Sequence, residues 1–356
     1  LLACTIVTTM VILGGALALN VLTGINVKIA VLVIPLAFCF YSSITGLRGS
    51  IVTDYLQVAI ILIIGLGLSV IFYYKYGDFG ICSMVENFHD KGKLLNITSY
   101  SGIMFGIVNT IGNFGTVFLD QTYWQRAIAV NYKSAGSCFL TAGLVWFAIP
   151  LCIATAFGVG GLALGINVND STIIAPLTAY HVSGNIGGIA FLVMLFMAII
   201  STGNSESVAV ASIIANDIYR LNIKPQATDR QILKISRFTT GLFGIIAGIL
   251  SFLIYSIGVQ VYFLYLAMGI FLSAGVLPII FGIMWKRLSS FGAFWGTLLG
   301  FISGIIVWLV VASAQDGSSL LVAMGEMVPM ACANCTVVLV SGIVCLIDGY
   351  WLQSGQ

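Results

Sequence analysis

Charge is what this sequence has least of. Asp, Glu, Lys and Arg make up 7% of its 356 residues and hydrophobic residues 60%, whereas an ordinary soluble domain carries about 25% charged residues. That composition excludes a water-soluble globule and points to an all-α integral membrane protein. A net charge of +2 gives no basis for a nucleic-acid partner. Histidine is nearly missing as well: His89 and His181 are the only two, and both read as residues of outer loops, where solvation explains them. The eight cysteines are scattered, with only Cys82 in an evident loop, so no disulfide framework is implied. Cys332 and Cys335 are spaced CxxC, but they have no second pair and read as small-residue packing. No HExxH spacing occurs and no buried His or Cys has a partner base, so neither an enzyme nor an enzymatic cofactor is expected. The hydrophobic run at Leu1 has no basic segment or cleavage site around it. It reads as the interior of a longer protein whose N-terminal part is missing.

Long apolar runs are abundant. A membrane span needs about 20 mostly apolar residues, and a helix satisfies its own backbone there. Ten such stretches are expected, at about 1–20, 28–46, 52–74, 100–125, 135–158, 186–216, 234–256, 260–284, 290–313 and 328–350. Residues 1–356 then form one transmembrane domain, with a cytoplasmic basic loop at 217–234 and outer loops at 75–99 and 159–185. Asn216 and Asp217 are expected to end the helix before the basic loop.

With the first span starting in the cytoplasm, ten basic residues fall on cytoplasmic connections: Arg48, Arg126, Lys133, Arg220, Lys224, Arg230, Lys234, Arg237, Lys286 and Arg287. Four remain outside, Lys28, Lys75, Lys91 and Lys93, and the positive-inside rule supports this orientation. The sequons at Asn96 and Asn169 fall in the expected outer loops, whereas the one at Asn334 lies within a span.

Polar residues at bilayer depth cost several kcal/mol (roughly 2 to 4 each) unless they face a cavity or find partners. Ser201, Thr202, Asn204, Ser205 and Glu206 interrupt one apolar span, with serines and the carboxyl a turn apart on one face. Hydroxyls are hard ligands suited to an alkali cation, and the Ala198 carbonyl, freed by a local bend, would add another. The alternative is that the hydroxyls bond back to carbonyls four residues earlier. Another span carries Gly106, Gly112 and Gly115 with Asn113, Asp120, Gln121, Tyr123 and Trp124. Its glycines predict a break near the middle, with close helix packing as the alternative. The polar and aromatic set suits a small planar solute that needs donors, acceptors and flat walls. Asp54, close to a helix start, reads by itself as a cap.

The connection YSSITGLRGSIVTDYLQ, the segment AIISTGNSE and the stretch GIMWKRLSSFGAFWG resemble motifs of the sodium:solute symporter family. GNFGTVFLDQTYWQRAIA, STGNSESVAVAS and VPMACAN are most similar to its eukaryotic urea active transporters. The resemblance covers nearly the whole chain and implies a LeuT-like inverted-repeat fold lacking its first two core helices. It implies a symporter that couples sodium or protons to urea uptake by alternating access. Ser201, Thr202 and the Ala198 carbonyl would hold the cation, Asp54 would stand on the ion exit path, and Tyr265 would join Asp120 in lining the solute site. It further implies a plasma-membrane location in the lipid bilayer, with no obligate protein partner. The alternatives are another small polar solute or a polyamine, and, on a different principle, a passive channel.

Overall fold

The computed structural model describes residues 1–75, 98–166, 171–315 and 319–352. Cys82, His89 and the sequon asparagines Asn96 and Asn169 lie outside the described residues. Every regular element among the described residues is helical. Among the described residues ten helical stretches are long and apolar enough to cross a membrane, so the chain is an integral, multi-pass membrane protein.

The helices are α1 (Leu2–Thr23), α2 (Val27–Leu47), α3 (Gly49–Tyr74), α4 (Tyr100–Leu119), α5 (Gln121–Ala129), α6 (Tyr132–Ile153), α7 (Gly160–Ala163) and α8 (Ile174–Ser212). They continue as α9 (Asp229–Ile257), α10 (Val261–Leu272), α11 (Val276–Met284), α12 (Ser290–Ser313), α13 (Leu320–Met324) and α14 (Met327–Ile347). The sequence reading and the structure agree on the number of spans and, for most, on the ends to within a few residues, because uninterrupted hydropathy alone sets them.

Two expected connections are shorter than the sequence suggested. In the expected outer loop 159–185, residues Gly160–Ala163 and Ile174 onward are helical. Pro176, Thr178, Ala179 and Val182 bury a face there, so packing, and not polarity, decides the conformation. The chain turns within α8 at Gly184, whose φ of 61° and ψ of −147° favour glycine. His181 is therefore an exposed helix residue and not a loop residue. At the other end of α8, Asn216 and Asp217 do not stop the helix. Wide π-type turns run through Ile213–Ile223, and Asn222 Nδ2 donates to the Asp217 carbonyl at 2.7 Å. The basic connection shrinks accordingly, since α9 starts at Asp229 behind a Thr228–Gln231 capping box.

The described chain divides into two compact units. Unit 1 comprises residues 1–92 and 124–261, unit 2 residues 93–123 and 262–356. In unit 1, α8 packs against α1 and against the α2–α3 pair, and α9 packs along α2. Glycine permits close approach here: a Cβ at Gly203 would stand 2.6 Å from the Phe38 ring. The chain reverses at one residue near the end of α2, Gly46, with φ 59° and ψ −163°. Across it the Tyr41 hydroxyl donates to Thr53 Oγ1 at 2.5 Å, so α3 folds back beside α2. Ile61, Leu68 and Phe72 of α3 form a core with Phe157 and with Phe191 and Met194 of α8.

Unit 2 is built on α12 lying along α14, with α4 and α10 against them. The glycines of α4 do not break it. The helix is continuous to Leu119, Gly112 lies 3.6 Å (projected Cβ to Cα) from Gly269 of α10, and Gly115 lies against Ser273. The break comes at Asp120, which is extended (φ −83°, ψ 118°) and separates α4 from α5. The glycines serve close packing, and the interruption is made by the carboxylate residue itself.

Candidate functional site

The polar run of α8 meets α3 in unit 1. Ser201 Oγ donates to Asp54 Oδ1 at 2.6 Å. The other carboxylate oxygen accepts from Arg126 of α5 at 2.5 Å. The same guanidinium nitrogen donates to Ser205 Oγ, and Ser205 donates in turn to the Ser201 carbonyl at 2.8 Å. A carboxylate, a guanidinium and two hydroxyls thus form one continuous network over α3, α5 and α8. Charge-assisted hydrogen bonds of this kind are the strong ones. Asp54 is 14% exposed and Arg126 36%, so Arg126 is partly exposed while Asp54 is mostly enclosed.

This geometry revises two readings. Asp54 is no helix cap, because α3 starts at Gly49 and the carboxylate is engaged across helices. The expected bend at Ala198 is missing, since the only non-helical residue within α8 is Gly184. The Ala198 carbonyl therefore stays in the helix and offers only its second lone pair. Thr202 is half-buried beside Ser201, while Asn204 and Glu206 are buried. The back-bonding alternative holds for Ser205 but not for Ser201, whose hydroxyl goes to Asp54.

More polar capacity surrounds the network. Ser50 and Gln57 stand four residues before and three after Asp54, on the same face of α3. Both are buried, and among the described residues neither Ser50 Oγ nor Gln57 Oε1 has a hydrogen-bond partner. Both amide atoms of the fully buried Asn204 are likewise without one. Such groups are costly unless they are hydrated or ligated. A cleft of about 620 Å³ opens beside the network, with Asp54, Tyr55 and Arg126 on its wall.

The residues expected to contact a solute gather mainly in unit 2. The Tyr265 hydroxyl donates to Asn109 Oδ1, and Asn113 Nδ2 donates to the same oxygen and to the Asn109 carbonyl, both at 2.8 Å. Asn109 was not singled out from the sequence, although its spacing of four from Asn113 on one helix face was visible there. Asp120 is buried and closes α4; its Oδ1 accepts from the Thr122 amide at 2.8 Å. Gln121 opens α5 half-buried, while Tyr123 and Trp124 are 40% and 37% exposed. Tyr265 is half-buried on α10. The structure thus joins Asn113 to Tyr265 through Asn109.

Comparison with known proteins agrees with the layout. The model of the sodium:solute symporter family matches residues 1–300. The chain is 35% identical over 377 residues to the urea-proton symporter DUR3 of Oryza sativa subsp. japonica, an alignment covering 97% of this chain and 52% of that protein. It is 30% identical over 334 residues to the urea active transporter of Saccharomyces cerevisiae, covering 86% and 45%. The chain spans about half the length of the curated relatives it matches. A solved Na+-coupled sialic acid symporter, described as substrate-bound and outward-open, superposes with a TM-score of 0.64 at 21% identity, covering 97% of this chain and 71% of that one. That likeness establishes a shared LeuT-like fold.

Proposed function

The chain belongs to the sodium:solute symporter family, and from that premise we propose that the protein takes up urea by cation-coupled alternating access. The observation carrying this reading is the oxygen set of Asp54, Ser201 and Ser205, held on two helices within an apolar membrane protein and met by the charge of Arg126. An alkali cation is served by the hydroxyls of Ser201 and Thr202 and the remaining lone pair of the Ala198 carbonyl. A coupling proton is served by Asp54, which also marks the exit path. Sodium or a proton is thus the coupling ion, and no other cofactor enters the scheme.

Urea is planar, with one carbonyl acceptor and four N–H donors. Asn113 and Tyr265 supply amide and phenol groups already tied together through Asn109. Gln121 and Asp120 add an amide and a carboxylate acceptor, and Tyr123 and Trp124 provide exposed aromatic faces for stacking. The similarity to urea transporters of rice and yeast supports the choice of solute. The plasma membrane is the proposed location, consistent with sequons on the connections assigned to the outside.

Labelled urea uptake by the full-length protein, in cells without their own urea transporter, tests this. Sodium is compared with choline at two pH values. Accumulation above the external concentration that rises with sodium or acid is the expected result and identifies the cation. Protein that reaches the surface but takes up no urea discards urea as the solute.

A further inference from the structure

We propose that the Arg126 guanidinium is a tethered stand-in for the coupling cation, neutralising Asp54 while the carrier is empty and withdrawing when the cation arrives at Ser201. This rests on the cation-coupled reading above and adds a role for a residue to which that reading gives none.

The argument begins with how Asp54 is shared. Its two oxygens are used from opposite directions, Oδ1 by Ser201 of α8 and Oδ2 by Arg126 of α5. Arg126 reaches past the carboxylate to Ser205, one turn beyond Ser201 on the same helix. The guanidinium and a cation seated on the α8 hydroxyls therefore draw on the same negative charge and the same oxygens. With Arg126 docked, the group sums to zero; with both cations present it carries one net positive charge. An ionised carboxylate enclosed by apolar helices is expensive without a counter-charge, so arrival of one cation favours departure of the other.

The side chain has somewhere to go. Arg126 is 36% exposed and stands on the wall of the 620 Å³ cleft, where Tyr55, 77% exposed, offers an aromatic face. Its long stem allows the head to leave while α5 stays in place.

A symporter has to return its empty site across the membrane for each net uptake event, whereas exchange of labelled for unlabelled solute returns the site loaded. A stand-in cation matters only for the empty return. The test compares Arg126→Gln with the unaltered full-length protein in two assays, net cation-driven uptake of labelled urea and counterflow of labelled urea into urea-loaded vesicles at saturating cation. Net uptake is expected to fall about tenfold or more while counterflow stays within about twofold. Equal loss in both assays, or no loss in net uptake, overturns the proposal. Arg126→Lys gives an independent readout should the glutamine variant fail to fold. An ammonium is a point charge that cannot fork between Asp54 and Ser205 as a guanidinium does. It should compete less well, lowering the half-saturating cation concentration several-fold, and an unchanged value counts against the stand-in role. If the unaltered protein shows no cation dependence, the coupled-transport reading fails instead, a result separable from all of these.

Discussion

Ser201 and Asp54 are separated by 147 positions in sequence yet meet at 2.6 Å. A hydrogen bond to a charged group contributes about 1.5–3 kcal/mol, so removing its donor should be felt by whatever else the carboxylate binds. Ser201→Ala is expected to raise the half-saturating cation concentration about tenfold and leave urea affinity at saturating cation nearly unchanged. Titrating uptake with the cation at fixed urea checks this. Tyr265→Phe should do the converse, since it removes only the phenol donor to Asn109. The KM for urea should rise several-fold while the cation titration stays in place. The two phenotypes assign the cation to one set of residues and the solute to the other. In the sequence Ser201 and Asn113 stand out as polar groups in apolar spans, whereas Tyr265 and the ion-path role of Asp54 come only from the family resemblance. The sequence did not pair Asp54 with Arg126, 72 positions away. No local pattern reports a contact that only tertiary packing creates.

Helices are where the sequence was most and least informative. Hydropathy gave the spans because length and apolarity suffice for that. It misread the glycines of α4 because a small residue signals a break and a close approach equally well. Packing resolves the ambiguity: Gly269 of α10 has Asn334 Oδ1 only 1.9 Å from where a Cβ would stand, with the Gly112 Cα at 2.9 Å. Gly269→Ala should therefore force α4, α10 and α14 apart, costing about 1–3 kcal/mol. Gly136 of α6 has nothing within 4 Å of its projected Cβ, so Gly136→Ala should be neutral or slightly stabilising through helix propensity. Thermal unfolding of the detergent-solubilised protein compares the two. A lowered midpoint for Gly269→Ala alone supports the packing role, and equal midpoints contradict it.

Over the whole molecule, the placement of basic residues predicts an orientation that no single helix does. The connection from Lys224 to Thr228, between the π-turn stretch and α9, is assigned to the cytoplasm with the basic residues around it. An epitope inserted between Pro225 and Gln226, both exposed, should be hidden from antibody in intact cells and stained after permeabilisation. Staining of intact cells would invert the assigned topology.

The single-residue turn at Gly46 also has a mechanical consequence. Two membrane-length helices joined by a loop can slide or tilt separately, because the loop takes up the difference. α2 and α3 have no such slack. Phe38, which bears on Gly203 of α8, lies on one arm of this hairpin, and Asp54, which bears on Ser201, lies on the other. The hairpin therefore grips α8 at two points two residues apart, like the jaws of a clamp. A tilt of α8 against α2 therefore bears on the arm that carries Asp54.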